Sequence, residues 1–396
     1  MRTFSLSLPF FAALVALLTT GLSLTASDSC ADSRWDLNDV TVIMPLPKAA
    51  TLPLYLRAPS SSENGSSLIP HSVFTQAVRL IAPAVKQTRI NEHYDSLTAL
   101  AFRIDPCFKN LPAEPCKKEL RVVWQPVLNG VALDAAAHTF YEPTDSEFRV
   151  LTAEFRELKD GTTASDHPMP LQIHPGIAKL GLQNPAVQNF LRKMKSRMSF
   201  PRLRKITFLV LNAPGNNWSF LSYRVSEDGE LHQNSIAITG QSFESFQNQA
   251  GPREYLSTDV AVGESKPGTD QILSLIRNSR NPDLKERPKL IQIYQSTLRL
   301  QNPATHQPGT MDCLSCHGSQ SARFWAGNQM SAAERQQVAS DAYPKTGGFD
   351  WRNISPDQQN TIVFRMVGYF GKTLALNSRV IFESAEVAKR LNGGSF

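Results

Sequence analysis

The sequence predicts an α+β protein in which an antiparallel β-meander and packed helices precede a mainly helical C-terminal segment. A nearly continuous apolar run at Ile206–Leu211, followed by two strands separated by turns, indicates the sheet. Several other segments repeat apolar residues at helical spacing. Strands and helices do not alternate regularly, which favours α+β over a doubly wound parallel sheet. The 396 residues, 41% hydrophobic and 19% charged, suffice for a large core and two domains.

Two strands and two helices are predicted ahead of the meander. The strands are Leu97–Ile104 and Leu120–Val127. One helix begins at Asp145 or Ser146 and runs to Lys159, and another begins after the Asn184 cap with Pro185 in its first turn. The apolar faces of the two helices consist of Phe148, Leu151, Phe155 and Leu158, and of Val187, Leu191, Met194 and Met198.

The meander is the clearest β-signal in the chain. Its first strand, Ile206–Leu211, is joined by a Pro214–Asn217 turn to a second strand, Trp218–Val225. A second turn contains Asp228 and Gly229 and leads to the third strand, Leu231–Thr239. Because short Gly-containing turns join antiparallel neighbours, these three strands are expected to pair in chain order.

The chain beyond residue 281 is predicted to be mainly helical. The expected elements are a helix at Leu290–Leu300, a helix from the Ser331–Glu334 capping box to about Ala342, a strand at Thr361–Phe370 and a helix at Ser378–Leu391. A passage rich in Pro, Gly and polar residues, 249–268, marks a boundary or a long surface loop. We therefore divide the chain into an α+β domain of unknown function, 28–280, and a C-terminal segment, 281–396.

The most informative motif is Cys313-Leu314-Ser315-Cys316-His317. Two thiols three residues apart, followed at once by an imidazole, have the spacing that attaches a c-type haem. The thiols add to the two vinyl groups of the porphyrin, and the imidazole binds the iron from the proximal side. Over these five residues the chain resembles the c-type cytochromes. The resemblance implies one covalent haem at Cys313 and Cys316, iron ligated by His317, and electron transfer as the activity rather than catalysis.

The second axial position of the iron decides which chemistry is available. A thioether or a second imidazole gives a six-coordinate electron carrier, whereas an open position permits ligand binding or peroxide chemistry. Met330, a loop methionine thirteen residues after His317, is the first choice for the sixth ligand. Met366 and His306 are the main alternatives. Met311 and Met169 are two further candidates for the sixth ligand. Separately, Arg323, Phe324 and Trp325 follow the motif closely enough to contact the porphyrin or its propionates.

The N-terminus predicts export. Arg2 precedes an almost wholly apolar stretch, Leu8–Leu18, and small residues near position 27 suit a signal peptidase, so residues 1–27 are predicted to be a cleaved signal peptide. The apolar stretch is shorter than the ~20 residues of a membrane-spanning helix, and no later segment could span a bilayer. The expected location is the periplasm or outer surface of a bacterium, as the resemblance also implies. Ser27-Asp28-Ser29 before Cys30 lacks the Leu and small residues of a good lipidation signal, and a cut after Ala31 instead of near position 27 would remove Cys30; the sequence does not decide whether the protein is lipid-anchored.

The remaining cysteines and the basic residues suggest further contacts. Cys107 and Cys116 bracket a Pro-containing loop, and in an oxidising compartment they are expected to form a disulfide. Seven cations lie within fourteen residues, namely Arg192, Lys193, Lys195, Arg197, Arg202, Arg204 and Lys205. They form a solvated helix face or steer an acidic redox partner. Export argues against nucleic acid as a partner.

Several functions other than haem electron transfer would use part of this motif. A thiol–disulfide oxidoreductase would use Cys313 and Cys316 but leaves His317 unexplained. A zinc site needs further Cys or His ligands at suitable spacing. A haem protein with an open sixth position would bind ligands or act like a peroxidase. A periplasmic binding or interaction protein with an accessory haem also stays open, because one haem does not account for most of the chain.

Overall fold

An antiparallel sheet of nine strands lies at the centre of the described structure. The structure is a computed structural model that describes residues 34–63, 65–107, 117–162, 167–212, 217–226, 230–236, 242–247, 270, 287–352 and 366–394. Helices and antiparallel strands are both present, so the predicted α+β class is confirmed. From Trp35 onward the described residues belong to one compact unit. The predicted boundary near residue 280 stays a prediction, because 271–286 lie outside the described residues.

The described residues form eleven strands. They are β1 (Thr41–Ile43), β2 (Leu97–Asp105), β3 (Glu119–Leu128), β4 (Val131–Ala132), β5 (Ala135–Tyr141), β6 (Leu203–Asn212), β7 (Asn217–Val225), β8 (Leu231–Gln233), β9 (Phe243–Gln247), β10 (Val367–Phe370) and β11 (Thr373–Leu376). The main sheet has the order β1-β2-β3-β5-β6-β7-β8, with β4 paired to β3 and β9 paired to β7. Strands β10 and β11 form a separate hairpin.

The described residues form ten α-helices. They are α1 (Leu37–Val40), α2 (His71–Ile81), α3 (Gln87–Ser96), α4 (Asp145–Thr162), α5 (Pro175–Leu180), α6 (Pro185–Arg197), α7 (Arg287–Gln301), α8 (Cys313–Gly327), α9 (Ala332–Gln337) and α10 (Ser378–Asn392). No helix among the described residues is both long and apolar enough to cross a membrane.

One face of the sheet is apolar and is covered by helices. Phe102 of β2 meets Phe190 of α6 edge to face at 5.6 Å, and Phe190 meets Phe155 of α4 at 5.1 Å. Phe74 of α2 packs in the same way on Phe208 of β6. The apolar stripes predicted for α4 and α6 are buried in this layer, and both Met194 and Met198 are core residues, as expected.

The opposite face of the sheet is more polar and is tied to α10 by buried charges. The Glu383 carboxylate of α10 lies between the guanidinium groups of Arg103, on β2, and Arg379, one helical turn earlier. Arg379 Nε donates to Glu383 at 2.6 Å, and its other nitrogens donate to the carbonyls of Leu300 and His306 at 3.0 and 2.6 Å. All three charged side chains are buried. This network joins the sheet, α10 and the end of α7.

Local sequence signals predicted most elements correctly. The strands β2 and β3, the first two meander strands β6 and β7, and the helices α4, α6, α7 and α10 lie where the patterns place them. Asn184 caps α6 by accepting from the Ala186 N–H at 2.9 Å. The Ser331–Glu334 capping box begins α9, which ends at Gln337 and is followed by a short 3-10 turn rather than continuing to Ala342.

The third strand of the meander is shorter than predicted. β8 pairs with β7 only over Leu231–Gln233, and two of its three residues are exposed, so it buries little apolar surface. The rest of that edge of β7 pairs with β9 instead. The signal peptide, Cys30, Cys116, the passage 249–268 and residues 361–365 of the predicted strand Thr361–Phe370 lie outside the described residues.

The Glu383 network leads to a stability prediction. Burial alone would raise the pKa of Glu383, but the charges of Arg103 and Arg379 outweigh it and hold that pKa below its ordinary value. Glu383→Gln should therefore lower the free energy of unfolding by about 3 kcal/mol at pH 7, because it leaves two buried guanidinium groups undercompensated. Urea denaturation measures the difference.

The same variant has a defined pH dependence. A carboxyl group with a depressed pKa stabilises the fold above its unfolded pKa of ~4.3 and loses that contribution as the pH falls. The difference in the free energy of unfolding between the wild type and Glu383→Gln should thus decrease below about pH 4. Glu157→Gln, which breaks only the solvent-exposed pair with Lys193, serves as the control and should change little. If Glu383→Gln and Glu157→Gln lowered the free energy of unfolding equally, the claim that the buried Glu383 network stabilises the fold would be contradicted.

Candidate haem-binding site

A cavity of about 690 Å³ lies between the polar face of the sheet and helices α8 and α10. This volume is within the range of cofactor sites. Its lining includes Ala101, Ala136, His138, Phe220, Cys316 and His317. One wall is therefore helical and carries the Cys-x-x-Cys-His motif, while the facing wall is the sheet.

The motif residues lie together on one side of α8. In a helix, positions i, i+3 and i+4 fall on the same face, and Cys313, Cys316 and His317 have this spacing. All three line the cavity and are half-buried, whereas the neighbours Leu314 and Ser315 are fully buried. The motif thus begins a helix and presents both thiols and the imidazole to one space.

Two buried carboxyl groups fix the N-terminus of α8. Asp312 is the N-cap residue, and its Oδ2 accepts from the Ser315 N–H at 2.9 Å. Glu244, on β9, accepts from the N–H groups of Cys313 and Leu314 at 2.9 and 3.3 Å. The remaining oxygens, Glu244 Oε1 and Asp312 Oδ1, are buried without a hydrogen-bond partner among the described residues. Burial and the charge of Asp312 raise the pKa of Glu244 well above its ordinary value.

The thiols of the motif are poorly suited to thiolate chemistry. Cys313 and Cys316 are both free, whereas Cys107 is a disulfide cysteine. Burial, followed by the charges of Glu244 and Asp312, raises the pKa of Cys313, and burial raises the pKa of Cys316 to about 12. A thiol–disulfide oxidoreductase needs a lowered thiol pKa instead. The pairing of Cys107 with Cys116 stays a prediction, since Cys116 lies outside the described residues.

The sheet contributes a histidine that sequence analysis did not single out. His138 of β5 lies in a register row with Ala101, Val123, Thr207 and Ser222, one residue from each of five adjacent strands. All five line the cavity. Because the other side chains in this row are small or short, His138 is the largest group on this part of the wall.

Rings on the sheet contact both histidines of the cavity. The His138 ring stacks at a tilt on Phe140, with centroids 4.2 Å apart, and the His317 ring lies 5.0 Å from that of Phe220 on β7. The pKa of His138 lies well below its ordinary value. Burial is the largest cause, and the positive charges of Arg121 and Arg103, and then His317, lower this pKa further. His138 is therefore a neutral imidazole at neutral pH, which is the form that ligates metals.

Two kinds of cation surround the cavity. Arg103 and Arg121 are compensated by buried carboxylates, since both pair with Asp105. Lys205 and Arg224 face each other directly on β6 and β7, and neither has a carboxylate partner among the described residues. Like charges directly opposite each other in a sheet are unfavourable, so this pair suits an anionic group. Lys205 also acts electrostatically on Cys313, which places it near the motif.

The first choice for a sixth ligand does not lie in the cavity. Met330 follows the far end of α8, which extends about 15 Å beyond His317 at 1.5 Å per residue. There it is buried in an apolar cluster with Trp325 and Ala326, and it is not part of the cavity lining. The structure thus gives no geometric support to Met330 as an iron ligand.

The other proposed ligands are distributed between the cavity and its surroundings. His306 has both ring nitrogens in hydrogen-bonding contacts, 2.8 Å from Asp270 and 3.2 Å from Thr310, and it does not line the cavity. Met169 lies elsewhere as well, whereas Met311 and Met366 do line the cavity. The described lining therefore offers two methionines and His138.

The aromatic residues after the motif and the basic run also have other neighbours. Arg323, Phe324 and Trp325 do not line the cavity, and Arg323 donates to Ser378 at 3.2 Å. In the basic run, three cations form ion pairs within the chain: Lys193 with Glu157, Arg197 with Glu154, and Arg202 with Glu147. Arg204 and Lys205 belong instead to the cavity lining.

The residues present fit a covalently bound haem. Two free thiols and an imidazole share one helix face, small side chains on the opposite wall leave space, and an uncompensated cation pair lies beside them. Among the described residues, no group of three His, Cys, Asp or Glu side chains is placed to hold a metal ion by itself. Neither a protein-family model, nor a curated protein, nor a solved structure matches this chain.

The Glu244–Asp312 pair leads to a second pH prediction. A carboxyl group with a raised pKa stabilises the fold fully below its unfolded pKa and loses that contribution as the pH rises through its folded pKa. As the pH rises from 5 to 8, the free energy of unfolding of the wild type should therefore fall relative to that of Glu244→Gln. The amide of this variant can accept from α8 and donate to Asp312, and it does not titrate.

Urea denaturation of equally matured proteins at both pH values measures this difference. Glu230→Gln, at an exposed residue, is the control and should follow the wild type. If the free energy of unfolding of the wild type changed with pH in parallel with that of Glu244→Gln, Glu244 would be ionised over the whole interval from pH 5 to pH 8.

Proposed function

We propose that this chain is an exported, single-haem electron-transfer protein in which Cys313 and Cys316 attach the haem and His317 is its proximal ligand. One observation carries the proposal: both free thiols and the imidazole face a cavity of cofactor size. The motif lies on an ordered helix with a buried N-cap, not on an exposed loop where the spacing would have no structural consequence.

Each motif residue has a distinct role in this proposal. The thiols of Cys313 and Cys316 form the thioether bonds, and His317 binds the iron from the same helix face. The uncompensated pair Lys205 and Arg224 would hold the propionates, whose negative charge removes the repulsion between these cations. The bound haem supplies a one-electron redox couple.

Electron transfer is favoured over the rival functions. The raised pKa values of both thiols oppose thiol–disulfide exchange. Arg204 of the basic run also lines the cavity, and a cation there would attract an acidic redox partner, as the basic run suggested. Ligand-binding or peroxidase-like chemistry requires an open sixth position and is the main alternative.

Covalent attachment is tested by mass. After co-expression with a haem-maturation system, the wild type should carry the mass of one haem through acid–acetone extraction. Cys313→Ala and Cys316→Ala should each keep at most one thioether bond and show an altered pyridine haemochrome spectrum. Ser315→Ala, between the two thiols, is the matched control and should retain the full mass. Bare polypeptide from the correctly matured wild type would end the proposal.

Electron transfer is tested by potentiometry. A spectroelectrochemical titration of the matured wild type should show one reversible one-electron transition, with the same spectrum recovered after each cycle. Haem loss, irreversible bleaching, or turnover of added peroxide at a rate far above that of free haem would instead favour the catalytic alternative.

A further inference from the structure

We propose that His138 of β5 is the second axial ligand of the iron, opposite His317. The inference rests on the proposed function and extends it, because it specifies a bis-histidine iron. No covalent bond or electron is exchanged in this step. A lone pair of one imidazole nitrogen of His138 binds the iron position left open by His317.

The topology places the two histidines on opposite walls of one cavity. His317 projects from α8, whereas His138 projects from the sheet, 179 positions earlier in the chain. The strand alternates its side chains between faces, so Ala136, His138 and Phe140 all point into the cavity, and all three line it. A cofactor attached at α8 would lie between the motif and this row of the sheet.

The surroundings of His138 differ from those of a structural histidine. A buried histidine normally has hydrogen-bond partners for its ring nitrogens. Among the described residues no such partner exists for His138, and its contact is the Phe140 ring. By contrast His306 has both ring nitrogens in hydrogen-bonding contacts, with Asp270 and Thr310. The imidazole of His138 is thus available for a ligand inside the cavity.

The competing side chains are less well placed for the distal position. Met311 comes two residues before Cys313, on the wall that also supplies His317, and is buried in the apolar cluster with Leu314. Met366 lines the cavity but lies at the edge of β10, packed against the main core. Met366 is therefore the alternative that the experiment has to separate from His138.

The test uses the matured full-length protein and reads spectra, not activity. Ferric wild type should be low-spin, should give the paramagnetic resonance signal of two axial imidazoles, and should lack the near-infrared thioether–iron charge-transfer band. His138→Ala should lose the low-spin signal, bind carbon monoxide when reduced, and regain the low-spin spectrum with added imidazole. His138→Met should acquire the thioether band.

Two controls make each outcome decisive. Met366→Leu and His306→Gln should both keep the wild-type spectrum. If Met366→Leu loses the low-spin signal, or the wild type shows a thioether band or a high-spin iron, the assignment of His138 is overturned. If His138→Ala fails to fold, the wild-type spectra and His138→Met still test the assignment, because a thioether band or a high-spin iron in the wild type, or no thioether band in His138→Met, overturns it.

The two proposals fail in distinguishable ways. Absence of covalent haem from the mass spectrum overturns the proposed function and this inference together. Haem of the expected mass with an unchanged low-spin spectrum in His138→Ala overturns only the role of His138.

Discussion

The buried carboxylate of Glu383 holds the two layers of this structure together. It pairs with Arg103 of the sheet and with Arg379 of its own helix, and Arg379 in turn binds the carbonyls at the end of α7 and in the following loop. Since buried charges are stable only when compensated, the network fixes how the helical layer lies on the polar face of the sheet. The cavity lies beside this network, and Arg103 and Glu383 are part of its lining.

Helix geometry and sheet register then supply the two walls of the cavity. Spacings of three and four residues bring Cys313, Cys316 and His317 to one side of α8. The register of five antiparallel strands brings His138 into a row of small or short side chains that faces them. Neither wall is a complete site. The proposed haem site exists because α8 lies over this row of the sheet.

Electrostatics keep the site in a defined state. Glu244 and Asp312 satisfy N–H groups at the start of α8, and burial of Cys313, followed by the charges of these two carboxyl groups, raises the pKa of its thiol. Lys205 and Arg224 provide positive charge that the described residues do not compensate. Uncharged thiols, the neutral imidazole of His138 and a cation pair would suit a covalently held, negatively charged porphyrin, whereas a reactive dithiol would need a lowered thiol pKa.

The sequence by itself determined the α+β class, most strands and helices, and the attachment motif as a candidate site, because caps, turns and side-chain periodicity act over a few residues. It could not reveal His138, Glu244 or Lys205 as neighbours of that motif, since their proximity depends on pairing between strands far apart in the chain. It also favoured Met330 because a methionine in a polar loop is not easily explained as core, whereas in the structure Met330 is buried in an apolar cluster outside the cavity lining. Only the tertiary structure decided which side chains share the cavity, because register and layer packing, unlike local pattern, set distances across the fold.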